Sequence, residues 1–596
     1  MYEDGRIPQP ANLGERQMSA PTVYHLTIER FRGIKALSWY PGRGVNVILG
    51  GGDVGKTTIL DAIGLLLSPT NLTTLSDTDY YRRDIEACFV IEAVLALPSV
   101  SGINQQTTPS WPWIWNGSQA VVPSAEGDGE TKSEPVYRLR VRGTADLELA
   151  YEIVQPDDTT NSLSVALRRS IGLVRLSGDD RNDRDLRLVQ GSALDRLLSD
   201  KSLRSRLASE LAKSDVKDEL TDNAKTVLNG LDKAFKDKSL PSGLDLAITG
   251  SQGLSITALI GLTAERESVQ LPLASWGAGT RRLAALAIAE WNQGEAPITL
   301  VDEIERGLET YRQRSLVEDL QEGQSQAFVT THSPSAISAA SKASLWYVDH
   351  EGKIGRLEDA KTARHRRTDP DTFLARLTVV AEGATELGFV TALLEKALGS
   401  SLEQHGVHVS DGGGHEATLG LLEALAAGGL RFGGFADEEG KHPTRWEKVA
   451  KTLDQLLFRW TSGSIEENII GIVPDDKLEA LLTDPDDNKT GTRLRTLAER
   501  LDIQEKEFET IKAKAGLGIK ALILDAALGK VPADKTERKH YQSHAQSWFK
   551  SVEGGRELAM KIFSLGMWPS MQPKLMPFCN AVRKAVELTE IQDLNK

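Results

Sequence analysis

The chain is poor in cysteine: Cys88 and Cys579 are the two it has in 596 residues. That excludes a disulfide framework and fits a reducing, cytoplasmic setting. No uninterrupted apolar run approaches ~18 residues and the opening stretch is polar, so neither a membrane span nor a signal peptide is expected. Internal repeats are absent as well. Positive charge is in deficit: a formal net charge of −14 excludes a uniformly basic DNA-coating protein, though not a DNA enzyme whose basic groove is local. What remains, 40% hydrophobic and 26% charged residues over this length, is enough for at least two cored domains.

The first informative segment runs from Gly50 to Thr57 and fits GxxxxGK followed by Ser or Thr. It lies between an apolar run at 45–49, which reads as a buried strand, and residues 58–67, which read as a helix starting at Thr58. In that context Gly50, Gly52 and Gly55 let backbone N–H groups curl around phosphate oxygens at a helix N-terminus. Lys56 reaches the outer phosphates, and Thr57 offers its hydroxyl to Mg²⁺.

Further on, an apolar strand at 297–301 ends in Asp302 and Glu303, a pair that resembles a Walker B motif. Asp302 would hold Mg²⁺ through its water shell, and Glu303 would orient or deprotonate an attacking water. Upstream lies Ser275-Trp276-Gly277-Ala278-Gly279, ahead of a helix-like stretch, and downstream His332 follows another apolar strand. In this order the motifs resemble the ABC-type ATPases of the SMC, RecF and OLD group. The resemblance implies ATP heads that meet as a homodimer, with Ser275, Gly277 and Gly279 acting in trans and His332 contacting the γ-phosphate. Residues 24–34 look like the first strand of such heads. No glutamine loop is visible; Asp79 to Asp84 stands roughly in its place.

A basic stretch from Ala363 to Pro370 reads as the junction between domains, with solvated linker and nucleic-acid contact both open. Beyond it, residues 377–381 read as a strand running into Glu382, Glu386 and an apolar helix at 387–398. The two carboxylates bracket a strand-to-helix turn, so one side of the turn can present both to a cation. Asp437 and Glu439 follow a later strand, and Glu467 stands at an acidic helix start. This series resembles the Toprim domain of topoisomerases, primases and OLD-family nucleases, although Asp437-x-Glu439 stands where Asp-x-Asp is frequent. The resemblance implies metal ligands at Glu382, Glu386, Asp437, Glu439 and the region of Glu467. Hard oxygen ligands suit Mg²⁺ or Mn²⁺, and two such ions can clamp both oxygens of a phosphodiester displacement. It also implies a late basic residue near the scissile phosphate: Lys550 first, Arg556 next, with ordinary surface charges at a helix cap as the plain alternative.

The histidines at 405, 408 and 415 fit alternate strand positions and a Gly-rich loop better than a metal site, and no convincing zinc or iron site is visible. Trp111, Trp113 and Trp115 could stack on bases, but tucking against their own domain is the better reading. A second basic cluster, Lys535 to His540, could help hold a DNA backbone.

The expected architecture is α/β. It comprises a polar tail at 1–20, an ABC-type ATPase head at 21–370 with a helical dimerisation insert at 192–238, and a Toprim domain at 371–596 ending in a helical extension. The resemblance to OLD-family proteins, including the Gabija-type nuclease subunit, implies an ATP-binding, metal-dependent DNA endonuclease in phage defence or DNA repair. Its implied partners are DNA, a second copy of the chain and a possible helicase, with no membrane. The alternative is a RecF-like ATPase that binds DNA without cleaving it.

Overall fold

The computed structural model describes residues 20–71, 75–98, 102–103, 110–123, 134–176, 186–189, 192–198, 220–248, 260–291, 297–357, 359–484, 489–532 and 538–595. The chain is mixed α/β and forms two compact units: Met1–Ile48 with Gly55–Ser344, and Leu49–Val54 with Leu345–Lys596.

In the first unit, β1 (Thr22–Phe31) and β2 (Ile34–Trp39) make a hairpin, and β3 (Val45–Leu49) runs into α1 (Lys56–Leu66). Strands β4 (Val90–Ala96), β5 (Glu134–Gly143) and β6 (Leu149–Val154) extend the hairpin into an antiparallel sheet, β2–β1–β4–β5–β6. Alternation on β5 buries Leu139 and Val141 and sets Arg138, Arg140 and Arg142 on the other face. These three arginines pair with the two carboxylates of Glu92 and Glu152 at 2.5–2.8 Å, so each is engaged within the sheet.

The sheet that carries the site is parallel. It is built from β3 with β7 (Leu173–Leu176), β8 (Ile298–Val301) and β9 (Ala327–Thr330), in the order β7–β8–β9–β3. Every residue of β3, β8 and β9 is buried, as expected of parallel strands covered on both faces.

Of the expected insert at 192–238, the structure describes Ala193–Leu198 and the helix α2 (Asp222–Asp237); residues 199–219, like the polar tail up to 19, lie outside the described residues. Both helices pack on α3 (Ala278–Trp291), and Ala224, Leu228, Leu231 and Phe235 of α2 are buried. The described apolar residues of these two helices are therefore covered inside this unit. Trp113 is buried and donates its indole N–H to Val154 O at 2.8 Å, while Trp115 packs edge-on to Tyr24 at 5.3 Å. These two tryptophans tuck against their own sheet, and Trp111 is exposed.

The second unit has its own parallel sheet. Strand β10 (Leu377–Ala381) leads into α4 (Ala384–Leu398), β11 (Val407–Asp411) into α5 (His415–Ala427), and β12 (Gly433–Ala436) into α6 (Pro443–Leu453). Strand β13 (Leu457–Arg459) completes the order β11–β10–β12–β13. Helices α7 (Ile465–Ile470), α8 (Thr490–Arg500), α9 (Arg538–Ser547), α10 (Val552–Ser564) and α11 (Trp568–Ala585) follow.

This unit starts at Leu345, about 25 residues earlier than the expected boundary. The hydroxyl of Tyr347 donates to Ala375 O at 3.0 Å, and buried Asp349 accepts the Arg431 N–H at 3.3 Å. The basic stretch expected as a junction is part of a helix, Asp359–Thr368, in which buried His365 donates to Asp411 O at 3.0 Å. Helices α4 and α10 cross at glycines: a Cβ on Gly388 would lie 1.8 Å from Val552 O, and one on Gly555 would lie 2.0 Å from Thr385 O. Gly555 therefore lets the backbones touch, which brings the segment before α10 against the start of α4.

Candidate functional site

The loop entering α1 turns on Gly50 at φ 138° and Gly55 at φ 97°, values that favour glycine. Gly55 caps α1, so the free N–H groups of the first turn flank buried Lys56 and exposed Thr57, with Thr58 half-buried behind them. Gly52 is exposed, with open space around it. The Thr57 hydroxyl donates to Asp302 Oδ1 at 3.2 Å. That same oxygen accepts from Thr330 at 2.6 Å, and Thr330 Oγ1 in turn accepts the Glu303 N–H at 2.8 Å. The carboxyl ends of β8 and β9 and the start of α1 thus meet at one carboxylate.

Glu303 follows with φ 48°, a left-handed value that costs a side-chain-bearing residue about 1 kcal/mol or more. Its carboxylate is half-exposed, 3.6 Å from Arg306. Two residues that sequence reading missed hold this turn. Buried Arg282, on α3 beside the Ser275–Gly279 segment, donates to the carbonyls of Asp302, Glu303 (2.8 Å) and Arg306 (2.7 Å). Glu305 accepts the Thr331 hydroxyl at 2.7 Å and the His332 N–H at 2.8 Å. Burial, and then the charge of Lys56, hold the His332 pKa below its ordinary value, so its ring is neutral at neutral pH.

The three residues expected to act in trans differ. Ser275 is exposed and donates to Pro272 O at 2.7 Å, and Gly277 is exposed with open space around it. Gly279 is required within the unit, because a Cβ there would lie 2.2 Å from Gly307 O. Backbone N–H groups at a helix start, a buried lysine, and a carboxylate with two hydroxyls fit a triphosphate with Mg²⁺.

In the second unit, Glu382 directly follows the central strand β10, and its Oε2 accepts at 3.1 Å the N–H of Asp437, which directly follows β12. Asp437 Oδ1 accepts the Ile465 N–H at 3.0 Å, which draws the start of α7 to the strand ends. Glu466 is thereby buried beside Glu386 and Asp437. Glu467, the expected residue, is engaged differently, since its carboxylate reaches back to the Ser464 N–H at 2.8 Å in a capping box.

Burial, and then the charges of Glu466 and Glu382, push Glu386 up to about 7. Burial together with Glu386, Glu466 and Glu382 pushes Asp437 up to about 9, and Glu382 is raised chiefly by burial. Acids buried against one another in this way either hold protons or need a cation. By residue type Glu382, Glu386, Asp437 and Glu466 are the hard oxygen donors that Mg²⁺ or Mn²⁺ takes; the group here with ligand atoms mutually within 4.8 Å is Glu382, His415 and Glu439.

Glu439 is half-exposed and paired with Lys441 at 2.8 Å, and one of its oxygens lies within 4.8 Å of ligand atoms of Glu382 and His415. His415, discounted from the sequence, is brought to this edge, with Nδ1 3.5 Å from Glu382 Oε2 and 3.9 Å from Glu439 Oε2. Its Nε2 accepts the Trp446 indole N–H at 3.4 Å, and its buried Nδ1 has no hydrogen-bond partner among the described residues. Glu382, His415 and Glu439 each place one ligand atom within 4.8 Å of the others, so His415 stands at the edge of the acid site as a candidate nitrogen ligand. His405 and His408 are engaged elsewhere, with Ser400 at 2.8 Å and Asp369 at 2.9 Å.

Lys550 is exposed, and its charge acts on Glu386, lowering that group's pKa against the burial. The turn that carries it is fixed by Arg493, which is wholly buried, pairs with Glu557 at 2.6 and 2.7 Å and donates to Trp548 O at 3.4 Å. Arg556, the second expectation, is held by Glu395 at 2.6 Å.

Residues 108–338 match the family model described as "AAA domain, putative AbiEii toxin, Type IV TA system". The matched span contains Asp302, Glu303 and His332, and it supports an ATPase-type, ATP-binding domain. No curated protein matches the chain. Among solved structures, an Smc head bound to the C-terminal winged-helix domain of ScpA is similar at 16% identity and a TM-score of 0.35, over 58% of this chain and 99% of that one. An Smc head with an extended coiled coil, bound to the C-terminal domain of ScpA and derived from Pyrococcus furiosus, gives 15% and 0.36 over 58% and 98%. The recombination mediator RecF with ATPrS gives 13% and 0.36 over 58% and 100%.

Proposed function

We propose that this chain is an ATP-regulated, metal-dependent DNA endonuclease of the OLD type, in which the first unit binds and hydrolyses ATP and the second cuts phosphodiester bonds at a Toprim-like acid site. The observation that carries the reading is the burial of Glu382, Glu386 and Glu466 beside half-buried Asp437 at parallel strand ends, with the exposed cation Lys550 acting on Glu386. A protein that only gripped DNA would gain nothing from four converging acids that repel phosphate.

In this reading Glu382, Glu386, Asp437 and Glu466 hold divalent cations, which when bound supply Lewis acidity and a water of lowered pKa. Lys550 stabilises charge that develops on the phosphate, and Arg493 positions it through the Trp548 carbonyl. His415 stands beside Glu382 as a candidate nitrogen ligand. In the first unit Lys56 and the N–H groups of the first turn of α1 hold the triphosphate. Thr57 and Asp302 hold its Mg²⁺, and Glu303 takes a proton from the attacking water. Arg282 ties the helix after Ser275–Gly279 to the Glu303 turn, a route by which a partner subunit closing on Ser275 and Gly277 would set hydrolysis. Phage defence or DNA repair is the setting we infer, with a helicase as a further partner.

The test is nicking of supercoiled plasmid by purified protein with Mg²⁺ or Mn²⁺, with and without ATP, beside Glu386→Gln. Metal-dependent nicking lost in the variant is expected, and the ATP lanes give the sign of the regulation. Cutting retained by the variant would overturn the assignment. ATP-dependent DNA binding without cutting would favour the RecF-like ATPase instead.

A further inference from the structure

We propose that Glu499, His540 and His544 form a second metal site, for a borderline transition ion such as Zn²⁺ and separate from the acid cluster around Glu382. His540 and His544 lie one helical turn apart on one face of α9, and Glu499 comes from α8, which packs against it. Nε2 of His540 is 2.5 Å from Glu499 Oε1, and Nε2 of His544 is 3.7 Å from Oε2. One ligand atom from each of the three side chains lies within 4.8 Å of the others.

Around a tetrahedral ion with bonds of ~2.0–2.1 Å, ligand atoms sit about 3.3 Å apart, so a small closing of ligand atoms already within 4.8 Å of one another, with loss of the His540–Glu499 hydrogen bond, would seat the ion. The imidazoles are not stacked, their planes meeting at 73°, which lets both Nε2 atoms converge on the carboxylate. His544 is only 11% exposed, so packing holds its ring, whereas His540 and Glu499 are open enough to admit an ion. Two imidazoles with one carboxylate suit zinc, nickel or cobalt; a magnesium site would need more oxygen.

An ion here would staple α8 to α9 a few residues before Lys550. Helix α8 carries Arg493, which holds the Trp548 carbonyl, and α9 runs into the same turn. The site thus clamps both supports of Lys550. An effect on cutting would rest on the nuclease reading, but binding does not, so binding is what is measured.

Full-length protein in excess Mg²⁺, which occupies the acid cluster, is titrated with Co²⁺ and then Zn²⁺. We expect one ion per chain, with visible Co²⁺ bands that Zn²⁺ abolishes. Glu386→Gln should keep this behaviour. His540→Ala, at the exposed ligand and checked for wild-type circular dichroism, should bind at least about tenfold more weakly and lose the bands. Zn²⁺ should raise the melting temperature of the wild type but not of this variant. Equal binding and equal spectra in wild type and His540→Ala, or no Co²⁺ bound by wild type in excess Mg²⁺, would overturn the proposal.

Discussion

Asp302 and Asp437 both follow a strand of a parallel sheet at its carboxyl end, yet their surroundings differ. Asp302 receives two hydroxyls, Glu305 receives a hydroxyl and a backbone N–H, and Glu303 sits near Arg306. The first unit therefore satisfies its own acids, and the charge facing the loop is that of Lys56, suited to an anion. Asp437 instead faces Glu382, Glu386 and Glu466, with one backbone N–H to offset them. That site is short of positive charge and suited to cations. The same local construction thus serves opposite ligands, and what separates them is the company each carboxylate keeps.

Breaking the cation site should give the largest effect. Glu386→Gln should lower metal-dependent nicking by more than the ~10–100-fold typical of outer-shell changes, while nucleotide affinity stays near wild type. Breaking the anion site should do the reverse. Lys56→Ala should weaken ATP binding about 10–100-fold, as expected for a lost charged hydrogen bond, with Mg²⁺ binding at the acid site unchanged by calorimetry.

A sharper comparison lies between two late cations. Lys550→Ala should reduce the nicking rate at least about tenfold with little change in Mg²⁺ affinity. Arg556→Ala, whose charge is already engaged by Glu395 at the surface, should stay within about twofold and lose at most ~1 kcal/mol of stability.

The smallest effect concerns pH. Glu386 and Asp437 have folded pKa values raised to about 7 and about 9, above their ordinary 4.5 and 3.8, so the folded state holds protons that the unfolded chain has released. Metal-free protein should therefore lose stability as pH rises from about 5 to 9. Saturating Mg²⁺ should flatten that slope, because the cation replaces the protons. A melting-temperature series with and without Mg²⁺ checks it, and a stability rising over this range in metal-free protein would contradict the acid cluster.

Contiguous motifs were legible in the sequence. Gly50 to Thr57 lies between a strand and a helix and needs only local backbone geometry, and Glu382 and Glu386 share a single turn. Ser464-x-x-Glu467 also carried the capping-box pattern, which could have redirected attention to Glu466, and the spacing of His540 and His544 could have flagged a ligand pair. Arg282, Glu305 and Arg493 gave no such signal. Their partners are carbonyls and side chains from other elements, and a carbonyl has no residue identity to read. The same holds for Gly279 and Gly555, whose need for glycine comes from a facing backbone.

The sequence by itself determined which chemistries the chain can offer: a phosphate loop, a carboxylate after a buried strand, and a series of acids with a late lysine. These follow from residue type and from the short-range periodicities of strand and helix. Tertiary structure decided which acids face one another and which are neutralised, because burial and charge act through space and depend on neighbours that the order along the chain does not specify.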